Sequence, residues 1–388
     1  MTTRRDFVKL SLIAGSAFAI GFDFGDNAAP VVVETPFRPN GWVRIEADGT
    51  VTLTVGKSEM GQGVRTSLPM ILAEELEAEW SSIHIVQASP DEHFKNLGTG
   101  GSWSIGGSWK PLRQAGATAR EMLITAAAAR LGVARASLRA ERGFVIHDAS
   151  SRRLGYGELT AAASALPVPS TVALKKTSDF KIVGRPTKRT DGRAIVTGRA
   201  KYGIDTRVPG MRHATIVRPP VLGGSVRKFD ATRARAVRGV RYVVKVSSGV
   251  AIVADNTWAA LKGRELLDIE FEPGANAGFS SELHSRRMRE ALNETGFSTR
   301  QDGETVPSPA KRIEATYAYP FYAHAPLEPM NSVADVRRDT CELWSPTQAP
   351  NDVQTKVAAL LGIPPASVKV NVTLCGGGFG RRLGWDYA

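Results

Sequence analysis

Val51-Thr52-Leu53-Thr54-Val55-Gly56-Lys57-Ser58-Glu59-Met60-Gly61-Gln62-Gly63-Val64-Arg65-Thr66-Ser67 passes from an alternating apolar run, through a glycine-rich loop, into a stretch with helical spacing. The Asp48-Gly49 pair separates Val51 to Val55 from Val43 to Ile45, which predicts a β-hairpin. From Ser67 to Trp80, Leu68, Ile71, Leu72 and Leu76 recur at helical intervals. A loop in this position lets the main chain approach a ligand closely and leaves free amides at the mouth of the helix. Gln62 adds a side-chain amide able to pair with an oxo or carbonyl group. Taken alone, the stretch also reads as a plain strand-to-helix turn.

Outward from this stretch, Ile83 to Val86 reads as a strand, and Pro111 to Leu131 as a long helix. That helix carries Leu112, Ala115, Ala119 and Met122 on one face and is stopped by Gly132. Residues 31–175 therefore read as a first α+β unit, and the Lys-, Pro- and Gly-rich passage from Lys175 to Gly198 reads as a linker. Strands over Val240 to Val246 and Val250 to Val253, a helix over Thr257 to Leu266 and a strand over Leu267 to Phe271 make a second unit, within 176–275. Residues 275 to 310 are polar and loosely patterned. A third unit, 276–388, is expected to contain a strand over Ile313 to Ala318, a helix over Val353 to Leu361 and a strand over Val368 to Leu374. The last strand runs into Gly376-Gly377-Gly378-Phe379-Gly380 with eight residues to follow. A strand so close to the end would leave its apolar face uncovered, so the chain reads as the amino-terminal fragment of a multi-domain α+β protein.

Composition narrows the function classes. With 388 residues and 42% hydrophobic content the chain can build several cores. The formal charge of +12 comes from 50 basic residues dispersed among 38 acidic ones, without a long basic run. This favours a solvated surface complementary to an acidic partner subunit, and no nucleic acid. Cys341 and Cys375 are too few for an iron–sulfur cluster, so any cluster belongs to another chain. The six histidines are scattered, and no protein-ligated metal is expected. Thr3-Arg4-Arg5-Asp6-Phe7-Val8-Lys9, followed by the apolar run Leu10 to Phe22, resembles a twin-arginine export signal over residues 1–30. The run is shorter than the roughly 20 apolar residues that cross a bilayer, although a short buried helix or a membrane anchor is the competing reading. A periplasmic protein, or one attached to the periplasmic side of the membrane, is therefore expected.

Two further glycine segments carry chemistry. Gly98-Thr99-Gly100-Gly101-Ser102-Trp103-Ser104-Ile105-Gly106-Gly107-Ser108 reads either as a phosphate or pyrophosphate cradle or as a flexible surface loop. Trp103 and Trp109 argue against the flexible loop. Gly376 to Gly380 is followed by Arg381-Arg382, so a dinucleotide fingerprint fails at position 381, and the Lys-Ser/Thr of a P-loop is missing. No Gly-x-Ser-x-Gly elbow occurs. His324 and Glu328 have the types of an acid–base pair but read as packed, hydrogen-bonded groups.

Together these segments resemble the molybdenum hydroxylase family of xanthine dehydrogenases and aldehyde oxidases. Glu59-Met60-Gly61-Gln62-Gly63 is similar to that family's Glu-Met-Gly-Gln-Gly element, and Gly376 to Gly380 to its Gly-Gly-Gly-Phe-Gly element. The Gly-Gly-Ser stretch with Pro111-Leu112-Arg113-Gln114-Ala115-Gly116-Ala117, and the order of the elements, are similar to the branch formed by isoquinoline 1-oxidoreductase beta subunits. Ile182-Val183-Gly184-Arg185-Pro186 resembles the opening of the family's α/β hammerhead domain. The resemblance implies a molybdopterin cofactor, in its cytosine dinucleotide form, held by Gly61, Gln62, Gly63, Gly101, Ser102, Gly377, Gly378, Phe379 and Gly380. It implies an enzyme that hydroxylates an N-heteroaromatic compound or oxidises an aldehyde with water as oxygen donor. A glutamate base is expected beyond Ala388, so the fragment alone would be inactive. Electrons would leave through a small partner with [2Fe-2S] clusters and a cytochrome c subunit. Tyr322 stands where xanthine dehydrogenases have a Gln that contacts the oxo group, and Arg381-Arg382-Leu383 replaces the region of their substrate-binding Glu, so purine specificity is not expected. The competing class is an inactive exported binding or assembly protein that keeps the fold.

Overall fold

The computed structural model describes residues 36–303, 311 and 313–388; the expected export signal lies outside them. The chain forms two compact units. The first takes residues through Val55, then Ser67–Val86 and Ile105–Thr187, and the second takes Gly56–Thr66, Gln87–Ser104 and Lys188–Ala388. Among the described residues no helix is long and apolar enough to cross a membrane.

In the first unit β1 (Phe37–Asn40), β2 (Val43–Ile45) and β3 (Val51–Val55) form an antiparallel meander extended by β4 (His84–Gln87). The hairpin reading around Asp48-Gly49 holds, with Val43 opposite Leu53 and Gly49 at φ 88°. α1 (Val64–Leu76) and α2 (Ser104–Leu131) meet where Gly116 lies against α1, since a Cβ there would come within 2.5 Å of the Leu72 carbonyl oxygen. Leu112, Ala115, Ala119 and Met122 are buried, as the helical spacing predicts. The helix begins seven residues earlier than expected, so Ser104 to Ser108 is its first turn and not loop, and Pro111 lies inside it. A second meander, β5 (Leu138–Glu141), β6 (Phe144–His147) and β7 (Arg152–Gly155), and α3 (Tyr156–Ser164) complete the unit.

The passage from Lys175 to Gly198 is not a free linker. In the first unit Lys175 Nζ bonds the Glu74 and Glu77 carboxylates, and the amides of Lys181, Ile182 and Val183 donate to Glu74. Burial pushes the Glu74 carboxyl up, but the Lys175 ammonium and these amides outweigh it and hold its pKa below the usual value.

Among its described residues the second unit contains three small sheets. β8 (His213–Val217), β10 (Val240–Val246) and β11 (Gly249–Ala254) pair antiparallel with β11 central, and β9 (Ser225–Asp230) pairs with β12 (Asp268–Glu272). The short helices α4 (Gly192–Val196) and α5 (Thr232–Arg235) precede α6 (Thr257–Glu265), which Asn256 caps through the Ala259 amide. α7 (Ser281–Ala291) crosses the region that reads as polar and loosely patterned. None of its residues is buried, and the Ser280 cap with the intrahelical bonds holds it. The strand expected over Ile313 to Ala318 does not form: the stretch joins no sheet among the described residues, and Ile313 is 78% and Tyr317 79% exposed.

The third sheet positions the site. β13 (Val333–Val336) runs antiparallel to β14 (Cys341–Ser345), and β14 runs parallel to β15 (Val368–Val372) through the crossover helix α8 (Pro350–Leu361). Leu343, Val353, Val357, Val368 and Val370 pack between helix and sheet. The register pairs Ser345 with Val372, so the residues that follow both strands emerge side by side at their carboxyl ends. In parallel sheets ligands favour that edge.

Candidate functional site

Three loops of the second unit converge at that edge. Ser58 N donates to Thr99 Oγ1 at 2.9 Å and Lys57 Nζ to Gly98 O at 2.7 Å, joining the first loop to the second. Cys375 N donates to Glu59 O at 2.9 Å, joining the first to the third. Gln348, 2% exposed, joins the second to the third. Its Nε2 donates to Thr99 O at 2.8 Å, its Oε1 accepts from Gly380 N at 3.2 Å, and its main chain accepts from Thr99 N. A Cβ on Gly378 would stand 2.4 Å from Met60 Sδ and 2.7 Å from Gln348 Oε1. Glycine here is required by close approach and not by φ.

Two buried carboxylates shape the loops. Glu59, 3% exposed, accepts from the amides of Gly61 at 2.9 Å, Gly63 at 3.0 Å and Arg65 at 2.9 Å. Glu328, 7% exposed, accepts from Gly376 N at 2.8 Å and Ile204 N at 2.9 Å. The fully buried Arg382 bonds the Glu328 carboxylate at 2.9 Å and donates to the carbonyls of Gly377, Pro346 and Glu328. A buried guanidinium is tolerable because its charge is paired and its donors are used. Burial pushes the Cys375 thiol up to about 12, and burial also lowers the Lys57 ammonium. The Arg189 guanidinium holds the Asp191 carboxyl below the usual carboxylate range.

A cleft of about 250 Å³ opens between the first and third loops, lined by Met60, Gly61, Arg189, Tyr202, Cys375, Gly376 and Gly377 among others. The Gln62 amide closes its own loop, with Nε2 donating to Ser58 O at 2.9 Å and Oε1 accepting from Met60 N at 2.8 Å; this uses one of its two N–H groups. Gly101 and Ser102 turn left-handed at φ 60° and 56°. Phe379 is also left-handed, at φ 53°; its ring lies over Gly377, 3.0 Å from where a Cβ would be, and is 70% exposed. Trp109 packs edge-on against Phe180 as an anchor, whereas Trp103 is 70% exposed and anchors nothing. Tyr322 is 80% exposed, and its hydroxyl has no hydrogen-bond partner among the described residues. Of His324 and Glu328, the glutamate is the packed group expected and the histidine is exposed. The sequence reading missed Gln348, Arg189 and Arg382. Ser345-Pro346-Thr347-Gln348-Ala349-Pro350, a strand end followed by a proline-started helix, is the signal that could have found the first.

The residues present fit a pterin cofactor. The N–H groups of Gly377, Gly378 and Phe379 make no hydrogen bond among the described residues, although Gly378 is buried. Such backbone donors suit a heterocyclic edge. Among the described residues no three His, Cys, Asp or Glu side chains gather as a metal site.

Comparison with known proteins agrees. A family described as molybdopterin cofactor-binding domain matches residues 13–203, and a second of the same description matches residues 289–387. The chain is 31% identical to the beta subunit of isoquinoline 1-oxidoreductase from Brevundimonas diminuta, over 92% of this chain and 53% of that protein. It is 31% identical to the membrane-bound aldehyde dehydrogenase (pyrroloquinoline-quinone) of Gluconacetobacter polyoxogenes, over 99% of this chain and 53% of that one. With a subunit of the nicotinate dehydrogenase of Pseudomonas putida it shares 29% identity, over 89% of this chain and 30% of that one. The chain thus spans about half the length, or less, of these relatives. With the loop geometry, these matches make the chain a member of the molybdenum hydroxylase family, carrying parts of its molybdopterin cofactor-binding region.

Proposed function

We propose that the chain is the cofactor-binding portion of an oxidoreductase that hydroxylates an N-heteroaromatic compound of the isoquinoline type, or oxidises an aldehyde, with water as oxygen donor. The observation that carries this reading is the convergence of three glycine loops through Gln348 and the Cys375–Glu59 bond onto one donor-rich edge. Relatives named for isoquinoline, aldehyde and nicotinate support the two substrate classes. The gap between the two matched stretches supports assigning the β8 to β12 region to an α/β hammerhead domain.

The amides of Gly377, Gly378 and Phe379, the free N–H of Gln62 and the left-handed turn at Gly101-Ser102 would hold the group; the amides of Gly61, Gly63 and Gly380 are spent on Glu59 and Gln348, so these glycines would shape the loops by carrying no side chain. When bound, the cofactor supplies the redox chemistry. A cleft of about 250 Å³ is below the roughly 300–1,000 Å³ of drug-sized pockets, so it receives one end of a cytosine dinucleotide form and not the whole. The carboxylates of Glu59 and Glu328 are committed to loop amides and serve to hold the loops in place. Tyr322 is the proposed donor on the substrate side. A small [2Fe-2S] subunit and a cytochrome c subunit would carry electrons away, and Arg4-Arg5 would direct export to the periplasm.

The test is to express the complete reading frame with the small iron–sulfur partner, measure molybdenum and pterin, and identify the nucleotide released by acid. Isoquinoline and benzaldehyde are then offered with an artificial electron acceptor. Stoichiometric molybdenum and pterin with turnover of one substrate is expected. Folded protein lacking both would overturn the cofactor reading, and loaded protein that turns over neither would remove the substrate classes.

A further inference from the structure

Arg189 lies in the passage that composition marks as a linker, yet four of its five N–H groups are committed. Nη1 donates to Gly61 O at 2.9 Å, and Nη2 to Glu59 Oε1 at 3.1 Å and Asp191 Oδ2 at 2.8 Å. Nε donates to Asp191 Oδ1 at 2.9 Å, so Asp191 grips the guanidinium by both oxygens and fixes its plane. The neighbouring Thr190 N donates to Thr66 Oγ1 at 3.0 Å, tying the same segment to the far end of the first loop.

The loop is also tied at Ser58 to Thr99 and at Glu59 to Cys375 and is closed by Gln62, while Arg189 grips it at Gly61. A Cβ on Gly61 would meet nothing within 4 Å, and Gly61 sits at φ 109°. Its path is set by the Glu59 carboxylate, around which the amides of Gly61, Gly63 and Arg65 wind, and by the cation that balances that carboxylate. An exposed ion pair would be worth little. Here the two carboxylate side chains are only 4% and 6% exposed, against 35% for the Arg189 side chain, so the acceptors are desolvated and removing this cation leaves them their amide donors and the more distant Arg65. Two carboxylates facing one guanidinium also rule the cluster out as a receptor for anions. Arg189 shares the cleft wall with Met60, Gly61, Gly376 and Gly377.

We propose that Arg189, oriented by Asp191, is the positioning residue that sets the Met60–Gly63 loop against the pterin. The inference rests on the cofactor reading above. A lysine at this position keeps the charge but cannot span Gly61 O, Glu59 and Asp191 together, because its donors radiate from one atom.

The test uses the complete protein and its Arg189→Lys, Arg189→Gln and Asp191→Asn variants. It reads amide hydrogen exchange of residues 56–66, with the β10–β11 hairpin, residues 240–254, as the internal reference loop, together with molybdenum and pterin content and the thermal midpoint. Exchange at Gly61, Gly63 and Arg65 is expected to rise several-fold in both Arg189 variants and less in Asp191→Asn. The reference loop should not change, and molybdenum and pterin content should fall together. Unchanged exchange overturns the proposal, as does a rise shared by the reference loop with a matching drop in thermal midpoint, which is the mark of general destabilisation. Looser exchange with full cofactor content overturns the link to the pterin. Parent protein without molybdenum or pterin sinks the cofactor reading and the pterin half of this one, while the exchange data still decide the loop half.

Discussion

At Gly376 a Cβ would stand 2.4 Å from Glu328 Cβ and 3.3 Å from its backbone nitrogen. Those atoms cannot yield, because Glu328 N donates to Gly376 O at 3.1 Å and its carboxylate is bonded to the fully buried Arg382. Gly376→Ala is therefore expected to destabilise by about 1–3 kcal/mol, read as a lower chemical denaturation midpoint, and to lower molybdenum content. Gly61→Ala fills open space instead and should act only through its left-handed backbone. The three glycine segments were legible because glycine is itself the signal of close backbone approach. Gln348 and Arg189 were not, because their partners Thr99 and Gly61 lie 249 and 128 residues away in sequence. Nothing local distinguishes a Gln or Arg that will be used at such a distance from one that faces water.

At the scale of elements, the presence of an apolar face to bury decided what could be read. α2 buries an alanine-rich face and was found, whereas α7 buries nothing and was not. The start of α2 was misplaced because Gly106, Gly107 and Pro111 are all breakers on average, and their order in space decides the outcome. The segment over Lys181 to Val183 is held by one carboxylate, which gives it a pH dependence of known sign. The pKa of Glu74 is below its usual 4.5 in the folded state, so its stabilisation is complete above that value and is lost as pH falls through the lower folded value. Amide exchange at Lys181, Ile182 and Val183 is expected to accelerate below about pH 4.5, and Glu74→Gln should be loose already at neutral pH. Equal exchange in parent and variant at pH 7 would show that the carboxylate does not hold the segment.

For the molecule as a whole, the mixed helix and sheet architecture was readable from the alternation of periods, and the bounds of the two units were not. Gly56–Thr66 and Gln87–Ser104 leave the first unit and pack with residues after Lys188, an exchange of segments that no local pattern announces. The charge of +12 belongs to this scale too. If it serves docking to an acidic iron–sulfur subunit, the association rate should fall steeply between low and physiological ionic strength, as measured by stopped flow, while dissociation changes little. Cys341 and Cys375, both buried and unbridged, carry a practical consequence. With no covalent crosslink to lose and no accessible thiolate to attack, this chain's fold should be indifferent to glutathione or dithiothreitol. It could therefore mature in a reducing cytoplasm and persist in an oxidising space without rearrangement.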